Sequence, residues 1–232
     1  MTSWHFVQRF GALLALLAAP VICIAQMTPA HLGSPDSENY FLKLIPFPET
    51  HGDATVNMQC QTIVKTNGRL DKPGCYIQNN WEPPFAEAVT LGGKKAEFVP
   101  AMDGDKPRKV GFLFQIQFVK KGDDHAMHIF LNSALEENIE EYGQDHLGAQ
   151  RAMGKENWSD KCPKRKQWVA IARAHVDEMG VASSVDLVHG SGIIPPSACQ
   201  EALVQLISSS KFAPASVDGV PVPSTYVEPF GN

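Results

Sequence analysis

One short phrase occurs twice in this chain, and it constrains the fold more than any other feature. Phe-x-Pro-Ala stands at Phe98-Val99-Pro100-Ala101 and again at Phe212-Ala213-Pro214-Ala215. Each is followed by Asp-Gly, at Asp103-Gly104 and Asp218-Gly219, and then by a proline, Pro107 and Pro221. Each is preceded by a Pro-Pro pair that can open a helix, Pro83-Pro84 and Pro195-Pro196. A glycine turn lies further upstream, 30 residues before Phe98 at Gly68 and 32 before Phe212 at Gly180. The order strand, Gly turn, strand, helix, Phe-x-Pro-Ala, Asp-Gly, strand is thus written twice, and it predicts two copies of one α+β unit of about 60 residues.

The segments around this repeat divide the rest of the chain. Phe10 to Ile24 is almost wholly apolar, follows His5 and Arg9, and ends Cys23-Ile24-Ala25. It is shorter than the ~20 residues needed to span a bilayer, so residues 1–25 are expected to be a cleaved secretory signal rather than an anchor. Residues 26–53 form a polar lead-in in which only Tyr40 to Ile45 has strand character. The first copy covers residues 54–122. It has a strand at Met58–Lys65, a second across Cys75-Tyr76-Ile77, a helix from Phe85 to Leu91, and a closing strand at Val110–Val119. In that last strand Phe112, Phe114, Ile116 and Phe118 alternate with Leu113, Gln115 and Gln117, which is the pattern of a half-buried strand. Residues 123–166 are expected to be a helical connector. Ser133-Ala134-Leu135-Glu136 reads as a capping box, and Leu135, Ile139 and Tyr142 repeat at helical spacing toward a continuation as far as Ala152. The second copy covers residues 167–232, with strands at Trp168–Val176 and Ser184–Val188, a helix capped by Ser197, and an extended segment from Val220 to Phe230.

Cysteines set the compartment. Beyond Cys23 there are four, Cys60, Cys75, Cys162 and Cys199, an even number that reads as disulfides in an exported chain. Four cysteines allow three connectivities, of which locality favours Cys60–Cys75 and Cys162–Cys199. Spacings of 15, 87 and 37 residues match no common zinc pattern.

The repeated phrase resembles the C-terminal domain of the TonB energy-transducer family. The second copy carries the resemblance best, with Ser191-Gly192, Ala202-Leu203, Phe212, Pro214, Ala215 and Gly219-Val220-Pro221-Val222. The first copy has Phe98, Pro100, Ala101, Gly104 and Pro107, with Arg108 where the second has Val222, and its Cys60 and Cys75 straddle the Gly turn as in a cysteine-bearing branch of that family. The resemblance implies a roughly three-stranded antiparallel sheet with helices on one face. It also implies an exposed edge strand that pairs with a segment of an outer-membrane receptor or other envelope protein by strand addition. The family's transducers carry an uncleaved anchor and a long proline-rich spacer, and this chain has neither feature in that form. The expectation is therefore a periplasmic protein-binding module with no cofactor and no catalytic residues. A transducer held at the inner membrane by its N-terminal segment is the alternative.

The binding edge is expected in the first copy, along Val110, Phe112, Phe114, Gln115, Ile116, Gln117 and Phe118. The second copy's closing segment carries Pro221, Pro223 and Pro229, which have no N–H to donate. Other chemistry is thinly represented. A net charge of -5 gives no basic footprint for nucleic acid. His125 and His128, beside Asp123 and Asp124, could hold a metal if helical, although a surface loop is the expected reading. Glu136, Glu137, Glu140 and Glu141 read as a solvated helix face, and the basic run Lys161 to Lys166 as a solvated linker. His189-Gly190-Ser191-Gly192 reads as a turn, Trp81 and Trp158 as contact residues, and Trp168 as core. A hydrolase or metal protein with a site the sequence does not reveal is the competing class.

Overall fold

The computed structural model describes residues 26–33 and 35–231. The segment 1–25, expected to be a secretory signal, lies outside the described residues. The chain is mixed α and β, with mostly antiparallel sheets and few helices.

After a two-residue strand β1 (Met27–Thr28) comes helix α1 (Pro35–Lys43). The strand expected at Tyr40–Ile45 is not there. Phe41 and Ile45 are four residues apart and both buried, a helical spacing, while Asp36 and Glu38 in the first turn and Lys43 in the last suit the helix dipole. The first large sheet follows: β2 (Ala54–Val64), β3 (Leu70–Cys75), then helix α2 (Pro83–Gly93), the short hairpin β4 (Ala101–Asp103) and β5 (Lys106–Arg108), and the long strands β6 (Val110–Lys121) and β7 (Asp124–Phe130). The sheet runs β3-β2-β6-β7, four strands rather than three. Strict alternation puts Val56, Met58, Cys60 and Val64 of β2 and Phe112, Phe114, Ile116 and Phe118 of β6 on one buried face. That face packs against α1 and α2 in an aromatic cluster where Phe85 meets Phe118 at 5.0 Å and Phe41 meets Phe98 at 5.8 Å.

The connector is less helical than the sequence suggests. Its one α-helix among the described residues is α3 (Glu136–Tyr142), with extended Leu135 at its start and no side-chain cap, so the box at Ser133 is not used, and a single 3-10 turn follows at Trp158–Asp160. Gly143, at a φ of 81°, ends the helix, and residues 146–153 then run extended instead of restarting as helix, with β8 (Gln150–Arg151) at their centre. The second large sheet comprises β9 (Trp168–Val176), β10 (Ala182–Gly192) and, after helix α4 (Ser197–Ser209) and the short strands β11 (Phe212–Ala213), β12 (Ala215–Val217) and β13 (Val220–Val222), the closing strand β14 (Ser224–Gly231). The final extended segment is therefore two strands parted at Pro223, and Gly190-Ser191-Gly192 continues β10 rather than ending it. Ser197 is the first helical residue, not the cap; Pro196 occupies that place, and Gln200 Nε2 donates back to the Pro195 carbonyl.

The second sheet runs β10-β9-β14, and the first contains β3-β2-β6 in the corresponding order. The twice-written motif has one structural role in both places. Gly68 and Gly180 sit at φ of 79° and 77°, and each carbonyl accepts the N–H of the motif phenylalanine, Phe98 at 2.9 Å and Phe212 at 3.3 Å. A Cβ on either glycine would meet that phenylalanine's carbonyl oxygen at 2.0 and 2.1 Å, so no side chain fits. Gly104 and Gly219 turn the hairpins β4–β5 and β12–β13, with Pro107 and Pro221 on the returning strands.

The strap 146–153 joins the two sheets into one body. Ala152 donates to Lys211 and bridges to Val110, Met153 donates to Lys109, and Leu147 pairs with Ser216. Arg151 is buried and bonds Glu228 through both Nε (2.6 Å) and Nη2 (2.8 Å), and Glu156 through Nη1 (2.6 Å).

Candidate functional site: the outer edge of the first sheet

Strand β6, the expected binding edge, is not an edge. It pairs with β2 from Val110 to Lys120 and with β7 from Gln115 to Lys121. Val110, Phe112, Phe114, Ile116 and Phe118 are core, and Gln115 and Gln117 lie on the opposite face, where Gln117 Nε2 donates to Asn57. The covering element is β7, whose histidines were expected in a loop. His125 and His128 are three apart on a strand, so they point to opposite faces. Among the described residues no group of three or more His, Cys, Asp or Glu side chains could hold a metal ion.

The two large sheets leave four edge strands, and three are interrupted. Strand β3 contains Pro73, with Lys72 at a φ of 51° and a shift of register opposite Gln61–Ile63. Strand β10 shifts register twice, with Ser184 at a φ of 52° in the first bulge. On β14 the Asn138 side chain bonds both the N–H and the C=O of Thr225, and Pro229 has no donor. Bulges, prolines and side-chain caps of this kind block strand addition. Strand β7 has none of them. It holds seven consecutive residues in unbroken register with β6 and contains no proline.

Its outward groups can be identified. Gly122 and Asp123 form a two-residue turn with Gly122 at a φ of 58°, which closes on the hydrogen-bonded pair Lys121–Asp124. Alternation then directs the N–H and C=O of Ala126, His128 and Phe130 at β6, and those of His125, Met127 and Ile129 away from the sheet. Among the described residues no backbone hydrogen bond from another segment reaches this edge. The turn is fixed from below, where Asp53 accepts the Gly122 N–H at 2.7 Å and Lys120 Nζ bonds the Thr50 carbonyl at 2.7 Å. His125 rests on the Phe47 ring at 4.8 Å. The site thus offers a preformed row of donors and acceptors on a strand in unbroken register with its neighbour.

The remaining candidates have structural places. Cys60–Cys75 and Cys162–Cys199 are both disulfides, the first joining directly opposed residues of β2 and β3 and the second tying the connector to α4. Glu136, Glu137, Glu140 and Glu141 are exposed, and Glu137 pairs with Arg173. The basic side chains from Lys161 to Lys166 are exposed. Trp168 is buried with its indole N–H on the Pro163 carbonyl, whereas Trp81 is exposed. Sequence reasoning missed β7, though Gly122-Asp123 followed by alternating Met127 and Ile129 is a hairpin signal. Among the described residues no helix is long and apolar enough to cross a membrane. No family model matches the sequence, and no curated protein or solved structure matches it either.

Proposed function

We propose that this chain is a periplasmic protein-binding module, a two-copy relative of the TonB C-terminal domain, that captures an extended segment of an envelope protein on the outer edge of β7. The observation that carries this reading is the contrast among edges: three are interrupted, and β7 alone is regular, in unbroken register and free of proline. Strand addition draws its affinity from main-chain hydrogen bonds and its selectivity from alternate side-chain contacts. His125, Met127 and Ile129 would supply the former. The shared strand order of the two sheets and the Gly–Phe contact common to both support the two-copy part of this reading. Two disulfides suit an oxidising compartment. A segment of an outer-membrane receptor is the candidate partner, with a role in transport across that membrane.

The test is capture from envelope extract by the purified protein and by His125→Pro. Position 125 has an exposed side chain and an outward N–H, so proline there removes a donor that the free fold does not use. Capture of a defined envelope protein is expected, lost in His125→Pro with the melting curve retained. Equal capture by a folded His125→Pro would exclude this edge.

A further inference from the structure

The two large sheets turn their outer faces toward each other, and a cleft of about 540 Å³ remains between them. One wall is the face of β2 and β6, the other the face of β9 and β14. Leu113, Val169, Ile171 and Val227 form its apolar lining, all half-buried. Gln59, Tyr76, Gln78 and Ser133 supply the polar groups. None of the side chains lining the cleft is charged, although the chain has 20 basic and 25 acidic residues. Burial and the nearby Glu228 raise the Tyr76 phenol, which stays neutral.

We infer that this cleft is a binding site for an uncharged, mainly apolar small molecule bearing a hydrogen-bonding group. Size supports a small molecule, since ligand pockets span roughly 300–1,000 Å³. A helix about 10 Å across is too thick for such a volume. A peptide strand is disfavoured by the bordering edge of β14, which is closed by Asn138 at Thr225 and lacks a donor at Pro229. Neutral walls give no compensation for bringing in a charge, so a charged ligand would lose its hydration without a partner. Side-chain amides both donate and accept, so Gln59 and Gln78 suit a carbonyl, hydroxyl or amide on the ligand. The site is separate from the β7 edge, and the two proposals stand or fall independently.

The test is fluorescence titration of the purified protein with neutral N-phenyl-1-naphthylamine, set against anionic 8-anilinonaphthalene-1-sulfonate. Saturable binding of the neutral probe is expected, one per chain, with much weaker binding of the anion. Ile171→Trp and Val227→Trp fill the cleft from residues that face away from the α4 core. Each should weaken binding by about tenfold or more while keeping the far-ultraviolet spectrum and melting curve. If one variant fails to fold, the other decides. The inference is overturned by no saturable binding to the native protein, by equal affinity for the anion, or by native affinity in a folded variant.

Discussion

Replacing Arg151 by methionine tests the joint that makes one body of the two sheets. The Arg151 side chain is 1% exposed, and its partners Glu156 and Glu228 are 15% and 17% exposed. Burial by itself disfavours the guanidinium charge. The hydrogen bonds and charge of Glu228, with Glu156 behind them, outweigh that and hold the group firmly protonated. Around it, Tyr226 donates to Glu228 at 2.7 Å and Trp158 to Glu156 at 3.1 Å. Methionine roughly fills the volume but leaves two mostly buried carboxylates without a cation. Breaking a buried ion pair from one side costs about 3–5 kcal/mol. With a urea m-value of about 2–3 kcal/mol/M, the midpoint should fall by roughly 1.5 M. Neutralising the orphans in Arg151→Met/Glu156→Gln/Glu228→Gln should recover much of the loss, because exchanging a whole buried ion cluster for neutral side chains is far less damaging than halving it. Equilibrium unfolding of the three proteins is the assay. A midpoint in Arg151→Met close to that of the native protein, or a triple variant no better than the single, would refute the reasoning.

Three further outcomes follow from the same contacts. Removing the first disulfide in Cys60→Ser/Cys75→Ser releases a 15-residue loop and should cost about 3 kcal/mol, read as a lower urea midpoint, a difference that should vanish when both proteins are measured under reduction. Gly180→Ala must hold a φ of 77° with its Cβ against the Phe212 carbonyl, so a loss on the order of 2 kcal/mol is expected by thermal melting, and Gly68→Ala should behave alike. Glu82 is held below the usual carboxylate range, first by the Gln78 backbone N–H and then by the Asn79 side chain. Its pKa is therefore lower folded than unfolded, so its stabilisation is complete at neutral pH and is lost as pH falls below about 4. Melting temperature against pH should accordingly show a shallower acid fall in Glu82→Gln than in the native protein.

What could be read from the sequence was set by local physics. Alternating Phe112, Phe114, Ile116 and Phe118 fixed which face of β6 is buried, because the side-chain period of a strand is two. The Gly turn and the Phe-x-Pro-Ala motif were legible because they recur, whereas the hydrogen bond joining them was not. The disulfides followed locality, and Cys60 and Cys75 do stand opposite each other across a hairpin. The neighbours of β6 were not legible. Whether a strand is central or at an edge depends on where another segment docks, and the seven residues of β7 carry three charged or histidine side chains that mask a strand. Tyr40 to Ile45 failed for a related reason: a short apolar run fits a helix or a strand equally well, and packing of Phe41 and Ile45 into the sheet decided it. The strap 146–153 gave no periodic signal at all, since its backbone partners lie in several distant segments, at Lys109, Leu131, Lys211 and Ser216.

Amide hydrogen exchange, residue by residue along β7, tests the binding edge most directly. In the free protein the amides of Ala126, His128 and Phe130 should be protected by β6 and those of His125, Met127 and Ile129 should exchange quickly. On capture of the envelope partner the second set should become protected as well. Protection that instead arises on β10 or β14, with His125, Met127 and Ile129 still exchanging quickly in the complex, would contradict it.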